Sequence, residues 1–279
     1  MCWHSNKDPQ KYVELDNKIY QQLKKSLFPT IKILDVISGG EAFLYSRIDE
    51  VLNDSFKYNY LLKIATNGTS ITDCQKELLR DLNVQFVISL DGANAELHEK
   101  LRVGCSFDKV IQTIKFFVDN GKKVKIRTCV SNHNFYNMQE ILNLAEKLNV
   151  KEINFQTVQY LDSVKEYNFT KPPEDIPYIK SLKGKPKFSI AFDYFHKSMH
   201  YSALTPILNK IISIRKCVYC PNNKNFLKID LDGIVSSCSM VEAASYGNLN
   251  QNSLEDILAS CDTIRKSCTC KPMEKYLRR

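Results

Sequence analysis

Five short, mainly apolar runs constrain the fold of this 279-residue chain most: Ile31–Ile37, Tyr60–Ala65, Val84–Leu90, Val124–Val130 and Glu152–Val158. Each has the length of a strand. The stretches between them, about Phe43–Leu52, Thr72–Leu82, Phe107–Phe117 and Met138–Leu148, repeat apolar residues at helical spacing. Asn120-Gly121 stops the third of these with C-cap chemistry. Ahead of the first run, Asp8-Pro9 reads as a cap and first-turn proline for a helix with Tyr12, Leu15, Ile19 and Leu23 on one face. Repeated strand–helix–strand units require a parallel sheet with covered faces. In such α/β folds, ligands bind at the carboxyl ends of the strands.

The residues at those ends have a common character. Ser38-Gly39-Gly40-Glu41 follows the first run. Two glycines let a backbone approach a ligand closely with its N–H groups free, and the glutamate offers an acceptor for a cation. The second run ends in Ala65-Thr66-Asn67-Gly68-Thr69 and the third in Ser89-Leu90-Asp91-Gly92. Small polar side chains there suit a ribose or an amino-acid group, although the same residues are also ordinary turn formers.

Beyond the fifth run the pattern changes. Lys171–Lys187 has the Lys, Pro and Gly content of a linker, and a helix is predicted at about Thr205–Arg215. Phe226–Leu231 and Ile234–Cys238 read as a β-hairpin closed by a tight Asp232-Gly233 turn, followed by a short capped helix at Ser253–Ala259. Six of the ten cysteines crowd this last quarter: Cys217, Cys220, Cys238, Cys261, Cys268 and Cys270. No charged-then-apolar leader opens the chain and no apolar stretch is long enough for a bilayer, so a cytoplasmic protein without membrane partners is expected. In that compartment the cluster points to a metal or iron–sulfur centre rather than disulfides. Cys217 and Cys220 share a turn, Cys238 ends the hairpin, and Cys268-Thr269-Cys270 returns from the tail. On spacing alone, zinc and iron–sulfur stand even. Cys74, Cys105, Cys129 and Cys261 read as core or surface thiols. The net charge of +8 comes largely from scattered lysines, so nucleic acid is not an expected partner. His196 and His200, spaced as on a helix, read as helix surface rather than substrate pocket.

The ordered set Cys2-Trp3, Gly39-Gly40-Glu41, Thr66-Asn67-Gly68 and Ser89-Leu90-Asp91-Gly92, with His98 and Arg102 after it, resembles the radical S-adenosylmethionine (SAM) superfamily over about residues 1–160. The resemblance implies an α/β fold, a partial (β/α)6 TIM-like barrel. It implies a 4Fe–4S cluster on a C-x-x-x-C-x-x-C motif, which chelates SAM and cleaves it reductively to a hydrogen-abstracting 5′-deoxyadenosyl radical. Cys2 matches the third cluster cysteine. Gly39, Gly40 and Glu41 match the loop holding the SAM amino group. Thr66, Asn67, Ser89 and Asp91 match the rims near its sugar and methionine portion, and Asn132 lies beyond the fourth strand. The family's first strand and first two cluster cysteines would precede Met1. The expectation is therefore a barrel lacking its first strand, an incomplete SAM-proximal cluster and an inactive chain as given.

The C-terminal segment, about residues 216–270, resembles the SPASM or twitch extension through Cys220, Phe226-Leu227-Lys228-Ile229-Asp230, Asp232-Gly233, Cys238, Gly247-Asn248-Leu249 and Ser253-Leu254. That implies an auxiliary iron–sulfur cluster with ligands among Cys217, Cys220, Cys238, Cys268 and Cys270. The expected domains are a barrel core at 1–170, a connection at 171–215 and an iron–sulfur domain at 216–279. The implied activity is that of an oxidoreductase or maturase acting on a peptide or small metabolite, served by a reductant such as flavodoxin or ferredoxin. A non-catalytic remnant and a zinc-binding interaction protein are the alternatives.

Overall fold

The computed structural model describes residues 14–36, 40–157, 178, 181–194, 197–202, 227–236 and 245–259. The chain divides into two compact units, Met1–Pro9 with Lys32–Ile214 and Gln10–Ile31 with Arg215–Arg279. Helix α1 (Asn17–Ser26) therefore belongs with the C-terminal residues although it precedes the sheet. It is capped by Asp16, whose carboxylate accepts the Lys18 N–H at 2.6 Å. Asp8-Pro9 lies outside the described residues.

The first unit is an α/β sheet in sequential order: β1 (Ile33–Val36), β2 (Leu61–Thr66), β3 (Val84–Ser89), β4 (Lys123–Val130), β5 (Glu152–Thr157), β6 (Lys187–Tyr194) and β7 (Lys197–Ser202). The first six are parallel, and β7 runs antiparallel to β6. The five apolar runs became β1 to β5. The sixth parallel strand lies in the stretch whose composition reads as linker and in the residues after it. Gln139 ties that stretch to α6 (Met138–Lys147): its amide donates to the Lys183 carbonyl at 2.7 Å and accepts the Lys183 N–H at 2.9 Å. Leu182 and Phe188 are buried behind it. The helical spacing read for His196 and His200 is not realised. His200 stands on strand β7, paired with Ala191, while His196 lies outside the described residues. Pairing with β6 along Lys197–Ser202 holds the segment with His200 extended instead of helical.

The remaining helices are α2 (Ile48–Tyr58), α3 (Asp73–Asp81), α4 (Ala95–Leu101) and α5 (Phe107–Asp119). A 3-10 turn at Ala42–Leu44 replaces the start of the helix predicted from Phe43, because the Glu41 carboxylate caps it by accepting the Phe43 N–H. Thr72 and Gln75 form a reciprocal capping box on α3.

Alternation along the strands separates two faces. Leu62, Ile64, Phe86, Ile88, Ile126, Ile153 and Phe155 are almost fully buried with the apolar sides of the helices, and Phe86 stacks on Phe117 of α5 with ring centroids 3.9 Å apart. Each such ring contributes about 1.5–3 kcal/mol by leaving water. The opposite face carries Lys63, Gln85, Ser89, Lys125, Arg127, Asn154 and Gln156, all half-buried. A parallel sheet with one polar face fits a structure that receives something polar on that side.

The second unit joins α1 to a three-stranded antiparallel sheet, β8 (Lys228–Ile229), β9 (Ile234–Ser236) and β10 (Ser245–Asn248), and to a helical turn at 254–259 capped by Ser253. The hairpin turn has three residues rather than the two predicted, because Lys228 pairs with Ser236 and Ile229 with Val235. Asp230 organises it, its carboxylate accepting the Ile234 N–H at 2.9 Å, and Gly233 closes it at φ +79°. A Cβ on Gly233 would sit 2.8 Å from the Ile19 side chain of α1. Gly233→Ala is expected to cost about 1–3 kcal/mol, through the left-handed backbone and the crowding together. Gly121→Ala, at φ +71° with nothing within 4 Å, incurs only the backbone part. Urea denaturation of both variants checks this, and equal losses would remove Ile19 from the account.

Candidate functional site

Glu41, just beyond β1, is the junction of the first two strand ends. One carboxylate oxygen accepts the Thr66 hydroxyl at 2.6 Å and the Phe43 N–H at 3.2 Å; the other accepts the Asn67 N–H at 2.6 Å. The Thr66 hydroxyl in turn accepts the Gly68 N–H at 3.0 Å, and Asn67 accepts both the N–H and the hydroxyl of Thr69 at 2.8 Å. Two carboxylate oxygens offer about four acceptor directions, and three are filled here. Among the described residues, no donor fills the fourth. Nothing among them lies within 4 Å of where a Cβ of Gly40 would be.

The third strand end is built differently. Asp91 is fully buried. One oxygen accepts the Arg102 guanidinium Nε at 2.6 Å and the other the Cys129 N–H at 2.7 Å, tying β3 to the end of α4 and to β4. Its own N–H donates to Nδ1 of His98. Burial holds His98 below the usual imidazole range despite the nearby carboxylate, so the ring is neutral at pH 7 with its lone pair on Nδ1. Burial works against the Arg102 charge, but Asp91, with Cys129 and Cys105 nearby, outweighs it and raises the Arg102 pKa. Gly92 is obligatory beside this pair, because a Cβ there would stand 2.6 Å from the backbone nitrogen of His98.

Asn134 completes the arrangement. Its Nδ2 donates to the Asp91 and Cys129 carbonyls at 2.8 and 2.9 Å, and its Oδ1 accepts the Ser131 N–H at 2.7 Å. Burial beside Asp91 pushes the Cys129 thiol up to about 11. Cys105 is raised as well, chiefly by burial.

The structure thus gathers Gly40, Glu41, Thr66, Asn67, Ser89 and Asp91 at neighbouring strand ends. Asp91 has its oxygens turned inward, and Ser89 ends β3 half-buried. Asn132 is exposed in the turn after β4, whereas its buried neighbour Asn134 forms the bridge. Gly39, Cys2, Cys217, Cys220, Cys238, Cys268 and Cys270 lie outside the described residues. Sequence reasoning left Asn134 and Cys105 without a place in the site and noted Arg102 and His98 only within a motif. The four-residue spacing of His98 and Arg102 behind Asp91 was the available signal.

Acceptor-rich, glycine-lined ends of parallel strands are where α/β proteins bind small polar ligands. The model of the radical SAM superfamily matches residues 1–148, and that of an iron–sulfur cluster-binding domain, SPASM, matches residues 220–276. The chain belongs to the radical SAM superfamily, whose cofactors are SAM and 4Fe–4S clusters. It is 25% identical to the antilisterial bacteriocin subtilosin biosynthesis protein AlbA of Bacillus subtilis, over 86% of this chain and 52% of AlbA. The chain spans about half the length of the curated relatives it matches. In fold it is similar to Streptococcus suis SuiB bound to its precursor peptide SuiA (TM-score 0.58, 17% identity, 93% of this chain, 61% of SuiB). It is also similar to anSMEcpe with bound AdoMet and Kp18Cys peptide (TM-score 0.63, 17% identity, 92% of this chain, 75% of that one). Among the described residues no helix is long and apolar enough to cross a membrane.

Proposed function

We propose that this chain carries the SAM-binding core and auxiliary-cluster region of a radical SAM oxidoreductase or maturase that modifies a peptide. The observation that carries the reading is the acceptor direction of Glu41 that no donor fills among the described residues. A glutamate fixed by three donors and still short of one partner suits an ammonium group such as the SAM amino group. When bound, SAM cleaved by a reduced 4Fe–4S cluster supplies the hydrogen-abstracting radical. Gly39 and Gly40 would admit the amino-acid end, and Thr66 and Asn67 orient Glu41. Ser89 and Asn132 would offer hydrogen bonds at the rim. Asp91 acts through Arg102, Cys129 and Asn134, holding the third and fourth strand ends in place.

The sheet is a partial barrel, and β6 and β7 extend it into the connection between a core at 1–170 and a cluster domain at 216–279. Cys2 is a ligand of the SAM-proximal cluster. Cys217, Cys220, Cys238, Cys268 and Cys270 supply the auxiliary cluster, with flavodoxin or ferredoxin as electron donor. A peptide substrate is favoured over a small metabolite because the bound partners of SuiB and anSMEcpe are peptides.

Anaerobic reconstitution with iron and sulfide, followed by metal analysis and electron paramagnetic resonance of the reduced protein, tests the cluster assignment. The signal is expected to vanish or change when Cys220, Cys238 and Cys270 are replaced by Ser, and to persist in Cys74→Ser and Cys129→Ser. Stoichiometric zinc that iron and sulfide fail to displace would establish the zinc-binding alternative instead.

A further inference from the structure

Helix α5 buries Val110, Thr113, Ile114 and Phe117 on one face. Three of these are the apolar residues that a core face requires, and Thr113 is the exception. A buried hydroxyl is costly unless it is paired, and a threonine within a helix commonly pairs with a carbonyl of its own preceding turn. Thr113 donates out of the helix instead, to the Gly68 carbonyl at 2.7 Å, 45 residues away in sequence.

Gly68 is where the turn after β2 meets α5. It is buried and holds φ at +79°. A Cβ on it would lie 3.2 Å from the Ile88 side chain and 3.7 Å from the backbone of Val110, which shares the buried face of α5 with Thr113. Contact and hydrogen bond therefore come from one face of the helix. From Gly68 the connection continues to the strand ends. Its N–H donates to the Thr66 hydroxyl at 3.0 Å, so the single proton of that hydroxyl is left for Glu41, at 2.6 Å. The Asn67 N–H donates to the other Glu41 oxygen, also at 2.6 Å. The Thr69 bonds to Asn67 stay within the turn and fix it to nothing outside. Thr113, Gly68, Thr66 and Glu41 thus form a series of hydrogen bonds from the helical layer to the carboxylate.

We propose that Thr113 is a positioning residue for the cofactor: acting through Gly68 and Thr66, it sets the direction in which the Glu41 carboxylate meets the ammonium of SAM. This rests on the reading of Glu41 as the group that receives the SAM amino end, and it adds a buried helix residue to those that decide SAM affinity. Hydrogen bonds weaken steeply as they bend. Without the Thr113 hydroxyl the Gly68 peptide loses its tie to α5, and the Thr66 hydroxyl, oriented by the Gly68 N–H, no longer holds Glu41 in one direction. The charge stays but is misplaced, so the defect falls on ligands that carry the ammonium.

The test is a binding measurement on the full chain without turnover. SAM is titrated calorimetrically into the unaltered protein and into Thr113→Val, Thr113→Ser and Glu41→Gln, with circular dichroism confirming folding. Methylthioadenosine, which shares the adenosine and sulfur of SAM but has no amino-acid end, is titrated into the same proteins. Thr113→Val keeps the shape without the hydroxyl and is expected to weaken SAM about three- to tenfold, the equivalent of one ordinary hydrogen bond. Methylthioadenosine is expected to bind it as it binds the unaltered protein. Thr113→Ser restores the hydroxyl and is expected to recover SAM affinity. Combined with Glu41→Gln, Thr113→Val is expected to add no further loss, because the two act in one chain of contacts. Should Thr113→Val fail to fold, Gly68→Ala, which displaces the same peptide by crowding Ile88, is expected to show the same selective loss of SAM. Full SAM affinity in Thr113→Val, equal losses for both ligands, or a valine effect that persists beside Glu41→Gln overturns the proposal and leaves Glu41 in the cofactor site. SAM affinity unchanged by Glu41→Gln, or no SAM binding by the unaltered protein, overturns the cofactor reading and the proposal with it.

Discussion

Asp91→Ala is expected to cost the first unit about 3–5 kcal/mol, the scale of removing one partner from a buried ion pair. The substitution strands the Arg102 guanidinium, whose side chain is only 18% exposed, and leaves the Cys129 N–H without its acceptor. Both losses are desolvation penalties and not merely missing contacts, which makes the effect large relative to the 5–15 kcal/mol that holds a typical domain together. Asp91→Asn keeps an acceptor for Cys129 while removing the charge and should fall between the two. A double-mutant cycle with Arg102→Met isolates the pair, because replacing both partners is expected to recover much of the loss. Urea denaturation of the four proteins provides the check. If Asp91→Ala stayed within about 0.5 kcal/mol of the parent while SAM binding vanished, Asp91 would be a direct ligand contact and not a strut.

The contrast between Glu41 and Asp91 shows where sequence reasoning succeeds. Both are acidic residues after a strand, in glycine-containing turns, and the sequence offers no way to tell an outward-facing carboxylate from an inward one. What separates them is Arg102, eleven residues after Asp91, brought under it by the short helix α4. The strands β1 to β5 were legible because apolar runs of strand length leave few alternatives. β6 was not, because Lys187–Tyr194 follows a Lys-, Pro- and Gly-rich stretch, which only the fold ties to Gln139, through Lys183 forty-four residues away in sequence. Asn134 escaped notice for a related reason. Asn in a turn is commonplace, and only the fold places its amide between two strand ends. The membership of α1 in the second unit is likewise a tertiary outcome, since nothing in its amphipathic pattern says which apolar partner it meets.

Glu41→Gln and Glu41→Ala are expected to weaken SAM binding by roughly 10- to 150-fold, the equivalent of about 1.5–3 kcal/mol for a hydrogen bond to a charged group. Alanine removes the acceptor for an ammonium and also frees the Phe43 and Asn67 N–H groups and the Thr66 hydroxyl. Glutamine keeps the shape but replaces one oxygen with a donor, which must then face either the Thr66 hydroxyl or the Asn67 N–H. The loop is thus disturbed in both variants, and affinity alone would not separate recognition from support. Thr66→Val provides the separation: it removes one of the three donors that hold Glu41 yet leaves the carboxylate charge in place. If Glu41 meets the ligand directly, Thr66→Val is expected to weaken SAM by less than tenfold, while Glu41→Gln weakens it by more. Equal losses in the two would mean that the carboxylate serves the loop alone. SAM affinity unchanged by either Glu41 substitution, measured by calorimetry on folded protein, would remove Glu41 from the cofactor site and with it the observation on which the proposed function stands.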